Sequence, residues 1–208
     1  LGKVSRLPTL LRPRAWSTCS TSSVGSADKS TGIPHSESKY KVEQHIATLG
    51  IPYTIIRPVY FFENVFNPFV LPSLKAGKLA KAMPVDRMLQ QISVQNIVAF
   101  VALAPETRER FLGKSIDIAS DELTGEQAAK IVSEASGRTI EYVQTPLEQA
   151  RAMNEDFALN VEWMTNVGYS AAIAGLRKQH PQVGWKTFAE WARRQDWTVL
   201  GSSNERIA

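Results

Sequence analysis

The sequence predicts an α/β protein, with a parallel sheet assembled from short strands that alternate with helices and a mostly helical lobe at the C-terminal end. Three observations predict it. Short apolar runs bounded by turn residues alternate with stretches of helical periodicity from Ser17 to about residue 120. The joins between them are short, as βαβ units require. Beyond residue 145, helical patterns follow one another with no strand between them.

The elements follow in order. "STCSTSSVG" reads as the end of a small-residue strand running into a glycine turn, and "SADKSTGIP" is a loop by its Ser, Asp, Gly and Pro content. Ser36 to Leu49 carries Tyr40, Val42, Ile46 and Leu49 at helical spacing with Glu43 and Gln44 between them, and Gly50 closes it. "YTIIRP" is a strand, apolar at its centre and stopped by Pro58, and its burial on both faces fits a parallel sheet. "LQQI" is a brief strand, followed by a helix with Ser93 as N-cap that ends near Pro105. "GKSIDIAS" is another strand. Thr124 and Gln127 form a capping box for "LTGEQAAKIVSEAS", with Gly137 as its stop. "TIEYV" is a strand; "PLEQARAM", "DFALNVEWMTNVG" and "SAAIAGLRKQHP" are helices, and "GWKTFAEWARRQDW" closes the chain as an amphipathic helix.

Composition narrows the function. A chain of 208 residues with 43% apolar and 21% charged content can bury a sizeable core. No apolar run approaches the roughly 18 residues of a membrane span, so no membrane partner is expected. A single cysteine, Cys19, leaves neither an internal disulfide nor a cysteine metal cage, and a reducing, cytoplasmic location is expected. The three histidines, His35, His45 and His180, show no ligand spacing with carboxylates, so no metal site is expected. The net charge of +4 traces largely to Lys3, Arg6, Arg12 and Arg14, which precede the first acidic residue, Asp28. With no basic helix or interleaved aromatics beyond them, no direct nucleic-acid partner is expected. Residues 1–16 are expected to be a basic, disordered tail in preference to an organellar targeting segment. Residues 17–208 are expected to form the folded part, with the sheet at about 17–120 and the lobe at about 121–208.

The order "SSVG", "SK" then "VE", "TIIRP", "FFEN", "ISV" and "GKSIDIASDELT" resembles the C-terminal two-thirds of the NmrA-like family. These are atypical, extended short-chain dehydrogenase/reductase proteins. The resemblance covers roughly Ser20 to the end and implies a Rossmann-like sheet, NADP or NAD as cofactor, and either a small-molecule substrate or a regulatory protein partner. It further implies an initial strand, a glycine-rich turn and a helix whose N-terminus meets the pyrophosphate. The 12 glycines never fall in such a cluster. The expectation is therefore that the glycine-rich half, on the order of 100 residues, is missing from this chain, by truncation or because another chain supplies it. Cofactor binding by the chain alone is then expected to be weak or lost, and the sheet edge left open is expected to favour self-association.

The resemblance also implies site residues. In active short-chain dehydrogenases a Tyr-x-x-x-Lys pair puts a phenol and an ammonium on one helix face. Here the four-residue step back from Lys39 lands on His35, and Tyr40 would point about 100° away from the lysine. His35 has two open roles: catalytic proton donor, or cap of the helix that starts after Pro34. Lys39 is a candidate for binding a cofactor ribose or phosphate. Ser22 or Ser23 stands where a serine orients a carbonyl, with Ser23 the catalytic candidate, Ser22 a cofactor contact, and a plain turn the alternative for either. Pro58, Val59, Tyr60 and Phe61 are expected to flank a nicotinamide ring, and Asn64 to bond to backbone or ligand. Arg57 reads as a paired structural cation and Glu43 as a solvated or ion-paired residue. Two functions follow for the family: reduction of quinone-like or small carbonyl substrates by direct hydride transfer, or non-catalytic NADP(H) sensing. An inactive fragment is a further reading for this chain.

Overall fold

The computed structural model describes residues 19–106 and 108–201. The basic segment 1–16, with the charges that dominate the net balance, lies outside them.

The central sheet holds three parallel strands in the order β1 (Cys19–Ser22), β2 (Tyr53–Pro58), β6 (Lys114–Ile118). Register pairs Cys19 with Tyr53 and Arg57 with Asp117. β2 is buried from Thr54 onward, which its apolar residues allow and its central place requires. β1 is hydrogen-bonded along one edge only among the described residues. The crossover from β1 to β2 is α1 (Pro34–Thr48), which begins directly after its extended N-cap Ile33 and has proline at its first position. It packs on the sheet through Ile46 and, less expectedly, Glu43, both buried.

One strand departs from the sequence expectation. "LQQI" forms β5 (Leu89–Ile92), but it pairs with β3 (Tyr60–Phe61) and β7 (Asp121–Leu123) in a second sheet. The strand near "TIEYV" is β8 (Glu141–Gln144), and it pairs in parallel with β4 (Lys78–Lys81), away from the central sheet. The lobe therefore has strands of its own. The chain reaches them because β2 ends in Pro58, which has no N–H for further pairing, and the next residues turn into β3 and a 3-10 helix, Phe62–Phe66.

Helix ends obey their capping chemistry. Ser93 Oγ accepts the Asn96 amide at 3.1 Å and starts α3 (Val94–Glu106). Thr124 and Gln127 form a reciprocal capping box on α5 (Gly125–Ser136), stopped by left-handed Gly137. After the short α2 (Leu71–Lys75) and α4 (Arg108–Phe111), α6 (Leu147–Met153) and α7 (Glu155–Asn166) form a pair, with Asn154 capping α7. The expected long C-terminal helix is shorter. Thr187 and Glu190 cap α9 (Phe188–Ala192), and Asp196 accepts the Thr198 amide to restart the chain as the 3-10 helix Trp197–Leu200. α8 (Ile173–Gln179) is likewise shorter than its pattern.

The cores interleave the chain. Phe62, Leu74 and Leu79 pack with Val132, Phe188 and Trp191 in one cluster, while Leu176 and Trp185 join Ile56, Phe100 and Ile118 against the central sheet. Contacts thus cross the expected division near residue 120 in both directions. A third cluster joins Ile33, Met83 and Leu89 to Val161, Trp163 and Met164. It holds the start of α1 against α7, and this junction shapes the cleft.

Candidate functional site

A cleft of about 600 Å³ opens at the carboxyl ends of β1 and β2. This is where an open parallel sheet offers its ligands a crevice. The parallel ladder continues beyond β1: the Ser23 amide donates to Ile56 O at 2.8 Å and the Gly25 amide to Pro58 O at 2.8 Å. Residues 23–25 are thereby fixed as the floor. Gly25 lies in a crowded place, since a Cβ there would meet the Tyr169 ring at 3.0 Å and Val59 Cγ1 at 3.1 Å and one of them would have to give way. Val59, Tyr60 and Phe61 form one wall, and α7 supplies the facing wall through Asp156, Phe157, Asn160 and Trp163. The rim is apolar and open, with Phe69 77%, Met153 59% and Phe157 46% exposed.

Polar groups without a partner among the described residues face into this cleft. Ser23 is 7% exposed, and its Oγ is the one buried side-chain oxygen or nitrogen without a hydrogen bond among the described residues. A buried hydroxyl left unpaired is costly, so native structures rarely keep one without a reason. Asn64 and Asn160 line the same space half-buried.

One of the two roles open to His35 falls away. Its side chain does not cap α1. Asp156, 121 residues away on the first turn of α7, accepts the His35 amide on Oδ1 at 3.0 Å and pairs with the imidazole Nδ1 through Oδ2. One carboxylate thus caps α1 and holds the ring. Glu37 accepts the Gly32 amide at 3.1 Å, which braces the turn before the helix.

Two further groups set the electrostatics. Burial pushes the Tyr169 phenol well above its usual range, with the nearby Tyr60 and Asp117 acting in the same direction, so Tyr169 stays protonated at neutral pH. Tyr169 also packs edge-on against Trp163 with ring centroids 5.3 Å apart. Lys81 lies over the Tyr60 ring at 4.7 Å.

Of the residues singled out in the sequence, Ser23, His35, Pro58, Val59, Tyr60, Phe61 and Asn64 line the cleft together. Ser22 and Lys39 do not; both are exposed, with Ser22 on the strand end and Lys39 one turn further along α1. Arg57 and Glu43 lie outside it as well. Arg57 Nε is 3.1 Å from both Glu43 oxygens, its Nη2 is 2.6 Å from Glu43 Oε2, and its Nη1 is 2.8 Å from Asp28 Oδ2. Burial alone would lower the guanidinium pKa, but its hydrogen bonds to Glu43 and Asp28 outweigh this and hold it above its ordinary value. Asp156, Asn160 and Tyr169 were not legible in the sequence, because nothing in local spacing ties α7 to the start of α1.

The profile of the NmrA-like family matches residues 16–193, and the chain belongs to that family. Solved structures agree on a Rossmann-like fold. A nucleoside-diphosphate-sugar epimerase from Staphylococcus aureus is 19% identical, with a TM-score of 0.72, over 92% of this chain and 70% of its own. An NADPH-dependent quinone oxidoreductase from Escherichia coli, solved with NADPH, is 20% identical with a TM-score of 0.69, over 85% of this chain and 64% of its own. NmrA, a negative transcriptional regulator solved with NADP, is 18% identical with a TM-score of 0.63, over 85% of this chain and 63% of its own. The chain spans about two thirds of the length of these proteins. No helix among the described residues is long and apolar enough to cross a membrane.

Proposed function

We propose that this chain carries the hydride-transfer end of an NAD(P)H-dependent oxidoreductase site that acts on flat, ring-bearing carbonyl or quinone-like acceptors. The observation that carries this reading is the buried Ser23 hydroxyl, unpartnered among the described residues, on the floor of a cleft at the strand ends that Tyr60, Phe61, Phe157 and Trp163 also line. Such a hydroxyl is placed to donate to an acceptor oxygen while Tyr60 and Phe61 cover a ring. Membership in the NmrA-like family and the NADPH and NADP bound by the oxidoreductase and regulator structures support the choice of cofactor class.

The residues fit the nicotinamide end of such a cofactor. Gly25 lets the floor lie close against Tyr169 and Val59, Pro58 and Val59 offer an apolar surface, and Asn64 offers a side-chain amide. They do not offer a phosphate cradle, since no glycine cluster of the required kind occurs in the chain. When bound, a reduced dinucleotide supplies hydride. The chain's own part is to hold the acceptor oxygen at Ser23, to exclude water with the aromatic rim, and to orient the ring.

A second reading, a dinucleotide-sensing regulator, is favoured by two observations: Lys39 stands outside the cleft, and histidine occupies the step where a catalytic tyrosine is expected. Calorimetric titration with NADPH and NADH, followed by a quinone-reduction assay, separates the two. Dinucleotide binding together with turnover that Ser23→Ala slows supports the oxidoreductase. Binding without turnover of any acceptor supports the regulator, and no binding by the folded chain overturns both.

A further inference from the structure

We propose that His35 is the proton donor of this cleft and that Asp156 is the residue that positions it. The assignment rests on the reductase reading above.

Asp156 grips His35 twice, at the backbone amide and at Nδ1. A carboxylate at Nδ1 keeps a proton there and fixes the ring orientation, which leaves Nε2 as the working atom. Nε2 makes no hydrogen bond among the described residues, and His35 lines the cleft that holds the Ser23 hydroxyl. The His35 side chain is 40% exposed and Asp156 34%, so the ring also reaches water. Asp156 sits in the first turn of α7 and at the N-terminus of α1, where two helix dipoles favour its negative charge. Tyr169 and Ser23, on the same floor, are poorer donors. Tyr169 is held protonated by burial, and a serine is a far weaker acid than an imidazolium.

Atoms and electrons balance across the step. A carbonyl carbon that accepts hydride from the reduced dinucleotide releases its π pair onto oxygen. That oxygen, steadied by Ser23 Oγ–H, takes the proton from His35 Nε2. The alcohol leaves, the dinucleotide is oxidised, and the imidazole remains neutral with its proton on Nδ1 until water returns one to Nε2. A quinone needs this help much less, because its hydroquinone anion can take a proton from water.

The test compares the wild-type chain with His35→Gln and Asp156→Asn, each supplied with reduced dinucleotide and either a quinone or an aromatic aldehyde. Both substitutions are close in size, and the carboxamide introduced by Asp156→Asn keeps an oxygen for the His35 backbone amide. The expected result is a loss of about 100-fold or more in kcat for the aldehyde in His35→Gln, with KM and quinone reduction largely kept. Added imidazole should restore part of the aldehyde rate. Asp156→Asn should lose less, again in kcat. Independently of turnover, nitrogen NMR of the wild-type chain should show His35 protonated at Nδ1, and Asp156→Asn should release that tautomer in a chain that still melts cooperatively. Equal aldehyde rates in wild type and His35→Gln, or a freely exchanging His35 tautomer in the wild type, would overturn the proposal while leaving the reductase reading in place. A wild type that binds no dinucleotide and reduces neither acceptor overturns the reductase reading, and the proton-donor role with it, even where the NMR signature is present.

Discussion

Two polar clusters, drawn largely from the same stretch of chain, stand on opposite sides of one question. Arg57, Glu43 and Asp28 saturate each other: every arm of the guanidinium meets a carboxylate, and Arg57 and Glu43 are 5% and 4% exposed. Ser23, the Nε2 of His35, and the side chains of Asn64 and Asn160 have no partner among the described residues and share a cleft. The first cluster is closed and structural; the second is open and has bonding capacity to give to a ligand. Charge and burial alone would have pointed to Arg57, and only the account of hydrogen bonds points to Ser23.

Substitutions can break that contrast. Glu43→Gln should have the largest effect on stability, about 3–5 kcal/mol, because it leaves a buried guanidinium short of its main counter-charge. Urea denaturation measures it, and ligand affinity of the folded fraction should be unchanged. Gly25→Ala comes next, on the cleft side: its Cβ must displace the Tyr169 ring or Val59, costing about 1–3 kcal/mol and closing the floor of the site. Dinucleotide titration should then fail in protein that still melts cooperatively.

Ser23→Ala should show the reverse profile of Glu43→Gln. Stability is kept or rises, by up to about 1–3 kcal/mol, since an unpaired buried hydroxyl is removed and no bond is lost in the folded chain. Ligand binding weakens by about 0.5–1.5 kcal/mol, the net value of one hydrogen bond. A destabilised, ligand-competent Ser23→Ala protein would erase the distinction between the clusters.

The smallest effect belongs to Asp117, which lies between them. Burial pushes its carboxyl up from the ordinary value of 3.8, while the Ser26 amide at 2.8 Å and Arg57 pull it back. The folded chain therefore holds this proton to higher pH than the unfolded chain does. It binds more protons than the unfolded state in that window, so the Asp117 contribution to stability falls as pH rises from about 3.8 through the raised folded value. Asp117→Asn, which still accepts the Ser26 amide, should flatten that part of the stability curve. Parallel denaturation series at acid and neutral pH would read the slope.

Much of the fold was legible locally. Thr124 with Gln127 and Gly137 marks α5 because capping and a left-handed stop are satisfied within the helix itself. "YTIIRP" marks β2 because its composition and its proline suffice. Legibility failed where a partner decides. β5 looks like a strand of the main sheet until β3 and β7 claim it, and the last helix reads as one piece until Asp196 caps a second.

The same boundary runs through the site. The sequence by itself determined the alternation of strands and helices, the caps, the likeness that identified the family, and seven residues that line the cleft, because these depend on neighbours along the chain. Tertiary structure alone decided that Glu43 would be buried under Arg57, that Lys39 and Ser22 would stay outside, and that Asp156 would reach across 121 residues to grip His35. Hydrogen-bond satisfaction is a property of the folded assembly: whether a hydroxyl, imidazole or carboxylate is spent or available depends on which distant group packing brings within about 3 Å.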